Sequence, residues 1–164
     1  MGVELSDESI TQFRSVVGAW YRQTGSTLDS FSVIGRLKKE ELYWLMYAFM
    51  IADYGSSKAL RNYKGSQQKI NFDCGQKPAD FKVSFEKASA MAKGHNLARH
   101  ATNLPPNLLN PKNFADLAQG LFKSNKSVKV QVWDSAKLKK ENCGLLYHVG
   151  YGSEHGSYMV HISY

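Results

Sequence analysis

The sequence predicts an α/β fold in two parts connected by a long helix, and three observations carry that prediction. Val128, Val130 and Val132 alternate with polar residues, as do Tyr158, Val160 and Ile162, which is the period of half-buried strands. Helical stripes precede and separate those strands, the order expected when helices cover a sheet. From Ala79 to Thr102 a single helical pattern runs without a breaker, long enough to reach from one folded part to another.

The elements follow in order. Ser6 is placed to cap a first helix, with Asp7 and Glu8 near its positive end. Ile10, Phe13, Val17, Trp20 and Tyr21 form its inner stripe, and Thr24-Gly25-Ser26 should end it. Phe31, Val33 and Ile34 make a short strand closed by Gly35. A second helix spans about Lys38 to Tyr54, with Leu42, Leu45, Met46, Phe49 and Met50 inward. Tyr43, Trp44, Tyr47 and Ile51 make its other faces apolar too, so it should be covered on more than one side, by another subunit or by a further part of the protein. Residues 55–66 are a polar connector, Lys69–Cys74 a weak strand, and Gly75 to Pro78 a break.

The long helix has an inner stripe of Phe81, Phe85, Ala88, Ala92, His95 and Arg99. Its second face of Ala90, Gly94, Leu97 and Ala101 is small enough for another backbone to approach. Leu104-Pro105-Pro106 ends it, because proline disfavours helical geometry in the residue before it and donates no backbone hydrogen bond. Asn110 as cap and Pro111 in the first turn start the next helix, whose inner face is Phe114, Leu117, Ala118, Leu121 and Phe122. The strand ending at Trp133, a short helix from Ser135 to Glu141 and the strand from Tyr158 complete the series. No internal repeat or low-complexity tract interrupts it.

Composition bounds what such a chain can be. A hydrophobic share of 43% with 12% aromatic residues is enough for a packed core and argues against wholesale disorder. The longest apolar run, Leu42 to Ala52, is well short of the ~20 residues that cross a bilayer, so no membrane role is expected. The amino terminus lacks the basic and apolar regions of a secretion signal. Met1-Gly2 with Ser6 fits a myristoylation pattern superficially, but Glu4, Asp7 and Glu8 argue against it. Cys74 and Cys143 are far apart with no CxxC pattern, the usage of reduced thiols in a cytoplasmic protein. The net charge of +7 is spread over scattered lysines; it allows a nucleic-acid-binding role as an alternative but supplies no recognition motif.

Several constellations invite a chemical reading and fail on spacing. Gly150, Gly152 and Gly156 lack the strand–turn–helix order and the spacing of a dinucleotide fingerprint. His95 and His100 project about 140° apart round a helix and do not share one ion easily. His148 and His155 flank the glycine turn without a third ligand, and Asp53 and Asp73 have no second carboxylate at ligand spacing. No nucleophile elbow or catalytic-cysteine context occurs.

One segment does resemble a known family. N-L-A-R-H-A-T-N-L-P-P-N-L-L-N-P, Asn96 to Pro111, is similar to the N-L-A-R-D-L-V-N-x-P-x-N-x-L-x-P signature of the leucyl aminopeptidases, the cytosolic two-metal aminopeptidases. Asn142–Gly144 with Val149-Gly150-Tyr151-Gly152-Ser153 resembles that family's M-G-x-x-x-V-G-x-G-S segment, and the strand Tyr158–Tyr164 resembles the one that follows. A-F-M-I-A-D-Y with Arg61–Lys64 resembles an upstream helix and its basic stretch. His100 stands where the family usually has an acidic residue.

The resemblance implies a shortened, macrodomain-like amino-terminal α/β domain over 1–76, a linking helix over 79–102, and the first α/β elements of a catalytic domain over 103–164. It implies a cytoplasmic, hexameric parent that uses two divalent metal ions, zinc or manganese, to release N-terminal amino acids from peptides. The family's metal and catalytic groups lie in V-G-K-G-x-x-F-D-S-G-G and N-T-D-A-E-G-R segments, and neither occurs in these 164 residues. No catalytic, cofactor-binding or metal-ligating residue is therefore assigned, and the chain is expected to be a truncated portion, inactive alone and without bound metal. A structural or oligomerisation module is the other alternative, with self-association or a partner covering Val128–Trp133 and Tyr158–Tyr164.

Overall fold

A computed structural model describes residues 7–24, 28–54 and 69–164. The expected cap at Ser6, the Gly25-Ser26 turn, the connector over 55–66 and the basic stretch Arg61–Lys64 lie outside them. The chain divides into two compact units, 1–103 and 104–164.

The first unit contains α1 (Asp7–Gln23), β1 (Ser30–Ile34), α2 (Lys39–Ala52), β2 (Lys69–Asp73) and α3 (Pro78–Asn103). β1 and β2 pair in parallel, Ser30 opposite Lys69 and Ile34 opposite Asp73. Parallel neighbours need a crossover, and α2 lies between them in the chain. α2 starts where the Glu41 carboxylate accepts the Lys38 backbone N–H at 2.7 Å, the returning half of a capping box. Gly75, at φ +68°, makes the turn into α3 in the left-handed region that glycine tolerates.

The unit's core is α2. Leu42 and Met46 are 0% and 2% exposed, and burying two such side chains stabilises by roughly 1.5–3 kcal/mol each. Contrary to the expectation of cover by another subunit or a further part of the protein, this all-apolar helix is covered within its own unit. Its buried residues Tyr21-facing Leu45, Phe49 and Ala52 meet α1 and the strands, while Leu42, Met46 and Tyr47 meet Ala88 and Ala92 of α3. Edge-to-face rings, Trp20 on Phe31 at 5.0 Å and Phe31 on Phe49 at 5.4 Å, knit α1 and β1 to α2.

α3 presents Ser84, Ala88 and Ala92 inward. Phe85, expected on that stripe, is 46% exposed, because small residues bring the two helices close and push the bulkier ring to the side. Nothing comes within 4 Å of the position a Gly94 side chain would take, so no backbone approaches the small-residue face at Gly94 among the described residues.

The second unit contains α4 (Pro111–Phe122), β3 (Lys129–Trp133), α5 (Ser135–Lys140), α6 (Gly144–Val149) and β4 (Met159–Ser163). β3 and β4 pair antiparallel, Lys129 opposite Ser163 and Trp133 opposite Met159. Asn110 caps α4 by accepting the Asn113 N–H at 2.9 Å, with Pro111 in the first turn, as the sequence predicts. The buried face of α4 is Ala115 and Ala118 rather than Phe114 and Leu121, which are about half exposed. Leu138 of α5 is fully buried and anchors the unit. The helix α6 was not expected: six residues beginning with glycine, none of them buried, give no readable stripe.

Candidate functional site

The motif residues of the long helix converge on the carboxyl end of α2. The last carbonyls of a helix have no partner within it, and α3 supplies them. Asn96 donates from Nδ2 to the Met50 carbonyl at 3.1 Å, and Arg99 donates from Nη1 to the Ile51 carbonyl at 2.8 Å. Arg99 also donates to Asn96 Oδ1 at 3.3 Å, and its guanidinium lies 4.3 Å from the Tyr54 ring centroid. One turn on, Asn103 Nδ2 donates to the Tyr54 hydroxyl at 3.2 Å. Asparagine, arginine and asparagine at 96, 99 and 103 share one helical face, so one side of α3 clamps the whole end of α2. A cation beside a helix carboxyl terminus is also favoured by the helix dipole.

The histidines separate. His95 Nδ1 lies 2.6 Å from the Tyr47 hydroxyl, a hydrogen bond that sequence reasoning missed because Tyr47 is 48 positions away. Among the described residues, no carboxylate is hydrogen-bonded to this phenol–imidazole pair. His148 sits in the last turn of α6, flanking the glycine turn that begins at Gly150, with its ring against Tyr147 and Tyr151. Asp53 accepts from the Tyr21 hydroxyl at 2.9 Å and so ties α1 to the end of α2. Among the described residues no group of three or more His, Cys, Asp or Glu side chains could hold a metal ion. Cys74 and Cys143 are free thiols. No helix among the described residues is long and apolar enough to cross a membrane.

In the second unit the glycine–serine segment is a tight structural knot. The Ser135 hydroxyl donates to the Ser157 carbonyl at 3.1 Å and accepts the Ser157 N–H at 2.8 Å. The Ser157 hydroxyl in turn donates to the Tyr147 carbonyl at 3.0 Å. Gly150 and Gly156 pack where side chains would collide with these two serines. The arrangement positions β4 against α5 and α6, and among the described residues both hydroxyls are bonded to backbone groups rather than to an imidazole or carboxylate.

The lysines are partly neutralised. Lys39 with Asp80, Lys112 with Asp116 and Lys137 with Glu141 form exposed ion pairs, each a small contribution to stability. The hydrogen bond to Asp116 and its charge raise the Lys112 pKa.

Residues 96–164 match the catalytic domain of the cytosol aminopeptidase family. A probable cytosol aminopeptidase of Streptomyces coelicolor is 37% identical over 66% of this chain and 23% of its own length. One of Azotobacter vinelandii is 31% identical over 98% of this chain and 34% of its own length. The chain thus spans no more than about a third of the relatives it matches. In fold, it resembles the bottromycin maturation enzyme BotP in complex with Mn, with a TM-score of 0.75 and 19% identity over 98% of this chain and 38% of that one. It also resembles a mutant of tomato leucine aminopeptidase, with a TM-score of 0.73 and 16% identity over 93% of this chain and 32% of that one.

Proposed function

Since the chain belongs to the cytosol, or leucyl, aminopeptidase family, we propose that it is the amino-terminal portion of a metal-dependent aminopeptidase that releases N-terminal amino acids from peptides. The observation that carries this is the family match beginning at Asn96, the first residue of the clamp that holds α2 to α3. On this reading 1–76 is a shortened amino-terminal domain, 79–102 the helix leading out of it, and 103–164 the opening of the catalytic domain. The parent enzyme works in the cytoplasm as a hexamer.

The parent's chemistry rests on two divalent ions, zinc or manganese, which polarise the scissile carbonyl and activate water when bound. The manganese in the BotP complex supports that choice of ion class. The residues of this chain do not fit such a centre: the described ones contain no three-ligand cluster, and the family's lysine-and-carboxylate segments are absent from the sequence. The contribution of these residues is to seat α3 and the Gly150–Ser157 knot on which the opening strands depend. Purified chain incubated with leucyl p-nitroanilide and manganese or zinc is expected to release no nitroaniline, and measurable turnover would overturn its inactivity. For the parent, the reading frame beyond Tyr164 should encode the two metal segments.

Self-association belongs to the same proposal. A two-stranded sheet is marginal by itself, and the β3–β4 pair leaves Ile162 47% exposed. Sedimentation equilibrium is expected to show oligomers through this face; a monodisperse monomer counts against it.

A further inference from the structure

We propose that the second unit carries a site for a mononucleotide, a flat base joined through a sugar to a phosphate, where α5 turns into α6. This goes beyond the aminopeptidase reading and does not depend on it.

Lys139, Asn142, Tyr147, His148 and Tyr151 all line one open cavity of about 390 Å³, a volume in the range of small-ligand sites. The turn that ends α5 sets the first two. The Asn142 N–H donates to the Lys139 carbonyl at 3.2 Å and the Cys143 N–H to the Leu138 carbonyl at 2.9 Å. Asn142 takes the left-handed φ of 57° that this kind of helix end requires. Leu138, beside Lys139 in the chain, is fully buried and holds the turn on the core. The rings come from α6 and the residue just past it. The Tyr147 carbonyl accepts the Ser157 hydroxyl at 3.0 Å, which pins the backbone that carries them. Their centroids form a triangle: Tyr147 is 5.2 Å from His148 and 5.6 Å from Tyr151, and His148 is 6.0 Å from Tyr151.

These groups are open to a ligand. Tyr151 is 70% exposed, so most of its ring is available for stacking, and every nucleobase has a face to stack. Lys139 lies 6.0 Å from the Tyr147 centroid, a contact that attracts a cation but does not neutralise it. Among the described residues Lys139 joins no ion pair; Glu141, the carboxylate nearest it in sequence, is held by Lys137. The Asn142 side chain likewise makes no hydrogen bond among them. No carboxylate lines the cavity, so nothing within it repels an anion. The spacing then selects the ligand. Tyr147 stands between the ammonium group and Tyr151, 6.0 Å from one and 5.6 Å from the other. A ligand that uses both ends carries its anion apart from its ring, with polar atoms between them to meet Asn142 and the phenols. A mononucleotide has that layout, with phosphate at one end, base at the other and ribose hydroxyls between.

The probe is adenosine monophosphate, with adenosine and inorganic phosphate as its two halves, each titrated calorimetrically into the full chain. Saturable one-site binding of the nucleotide is expected, about tenfold weaker for either half, as loss of a charge-assisted contact or of a stacked ring requires. Lys139→Gln should bring the nucleotide down to the affinity of adenosine and leave adenosine unchanged. Tyr151→Ala should weaken both about tenfold. Lys140→Gln, on the same helix but outside the cavity, should change neither. All three positions are exposed, and thermal unfolding of the variants should match the wild type, so that lost binding is not lost folding. No saturation at millimolar concentration, equal affinity for nucleotide and adenosine, or phosphate alone binding as well as the nucleotide would each overturn the proposal. So would a Lys140→Gln effect as large as that of Lys139→Gln, since binding would then follow net charge. Displacement by oligothymidylate with a steep salt dependence would also overturn it, making the site a polynucleotide platform.

Discussion

Gly150 shows how one residue's lack of a side chain fixes a segment. A Cβ there would land on the Ser157 hydroxyl and lie 3.0 Å from backbone atoms of Gly156. Neither neighbour yields easily, since Ser157 is tied through its N–H, carbonyl and hydroxyl. Gly150→Ala is expected to destabilise the second unit by about 1–3 kcal/mol, the usual cost of overpacking. Gly152→Ala, with nothing within 4 Å, should be nearly silent in the same urea titration. Tyr43 supplies a pH signature. Burial raises its pKa above 10.0, the Tyr47 charge adds to that, and Arg14 opposes it. The folded state thus holds this proton where the unfolded chain releases it. The associated stability is complete below pH 10.0 and is lost as pH rises through the folded value. Tyr43→Phe should therefore flatten the alkaline fall in the urea midpoint, and a fall as steep as in the wild type would refute this assignment. The glycine turn was legible because glycines cluster in sequence. The Tyr47–His95 bond was not, because nothing in a linear chain pairs positions on separate helices.

At the scale of elements the decisive feature is the clamp on the end of α2. The three polar residues at 96, 99 and 103 were recognisable by resemblance, and their spacing put them on one face. Their target was not recognisable, because main-chain carbonyls at a helix end leave no mark in the sequence. Arg99→Ala would free the Ile51 carbonyl and remove the ring contact with Tyr54. A loss of about 1.5–3 kcal/mol is expected for a charged hydrogen bond of this kind. Asn96→Ala should cost about 1 kcal/mol, and the double variant less than the sum, since Arg99 also donates to Asn96. Exact additivity in urea unfolding would show that the two act separately. The apolar run of α2 foretold cover on several sides, yet only the fold reveals that α1, α3 and the strands provide it. Periodicity placed Ala88, Ala92 and Ala118 inward as the fold does, but put Phe85, Phe114 and Leu121 with them, where small residues such as Ser84 and Ala115 make the close approach instead. α6 escaped notice because six residues are too few to display a period.

On the scale of the whole molecule, the α/β order was legible because strand and helix periods differ, and each strand pair found its partner in register. The division at residues 103 and 104 coincides with the Leu104-Pro105-Pro106 break that the sequence announces. Each unit buries its own fully enclosed leucine, Leu42 in the first and Leu138 in the second. That arrangement predicts local rather than global consequences for core damage. Leu42→Ala should cost about 2–5 kcal/mol through lost burial and the cavity left behind. Amide exchange should then accelerate in β1 and β2 while β3 and β4 keep their protection, as expected of separate cooperative units. Leu138→Ala should do the reverse. Equal acceleration in all four strands by either variant would mean that the two cores unfold as one, and the division into units would then have no energetic counterpart.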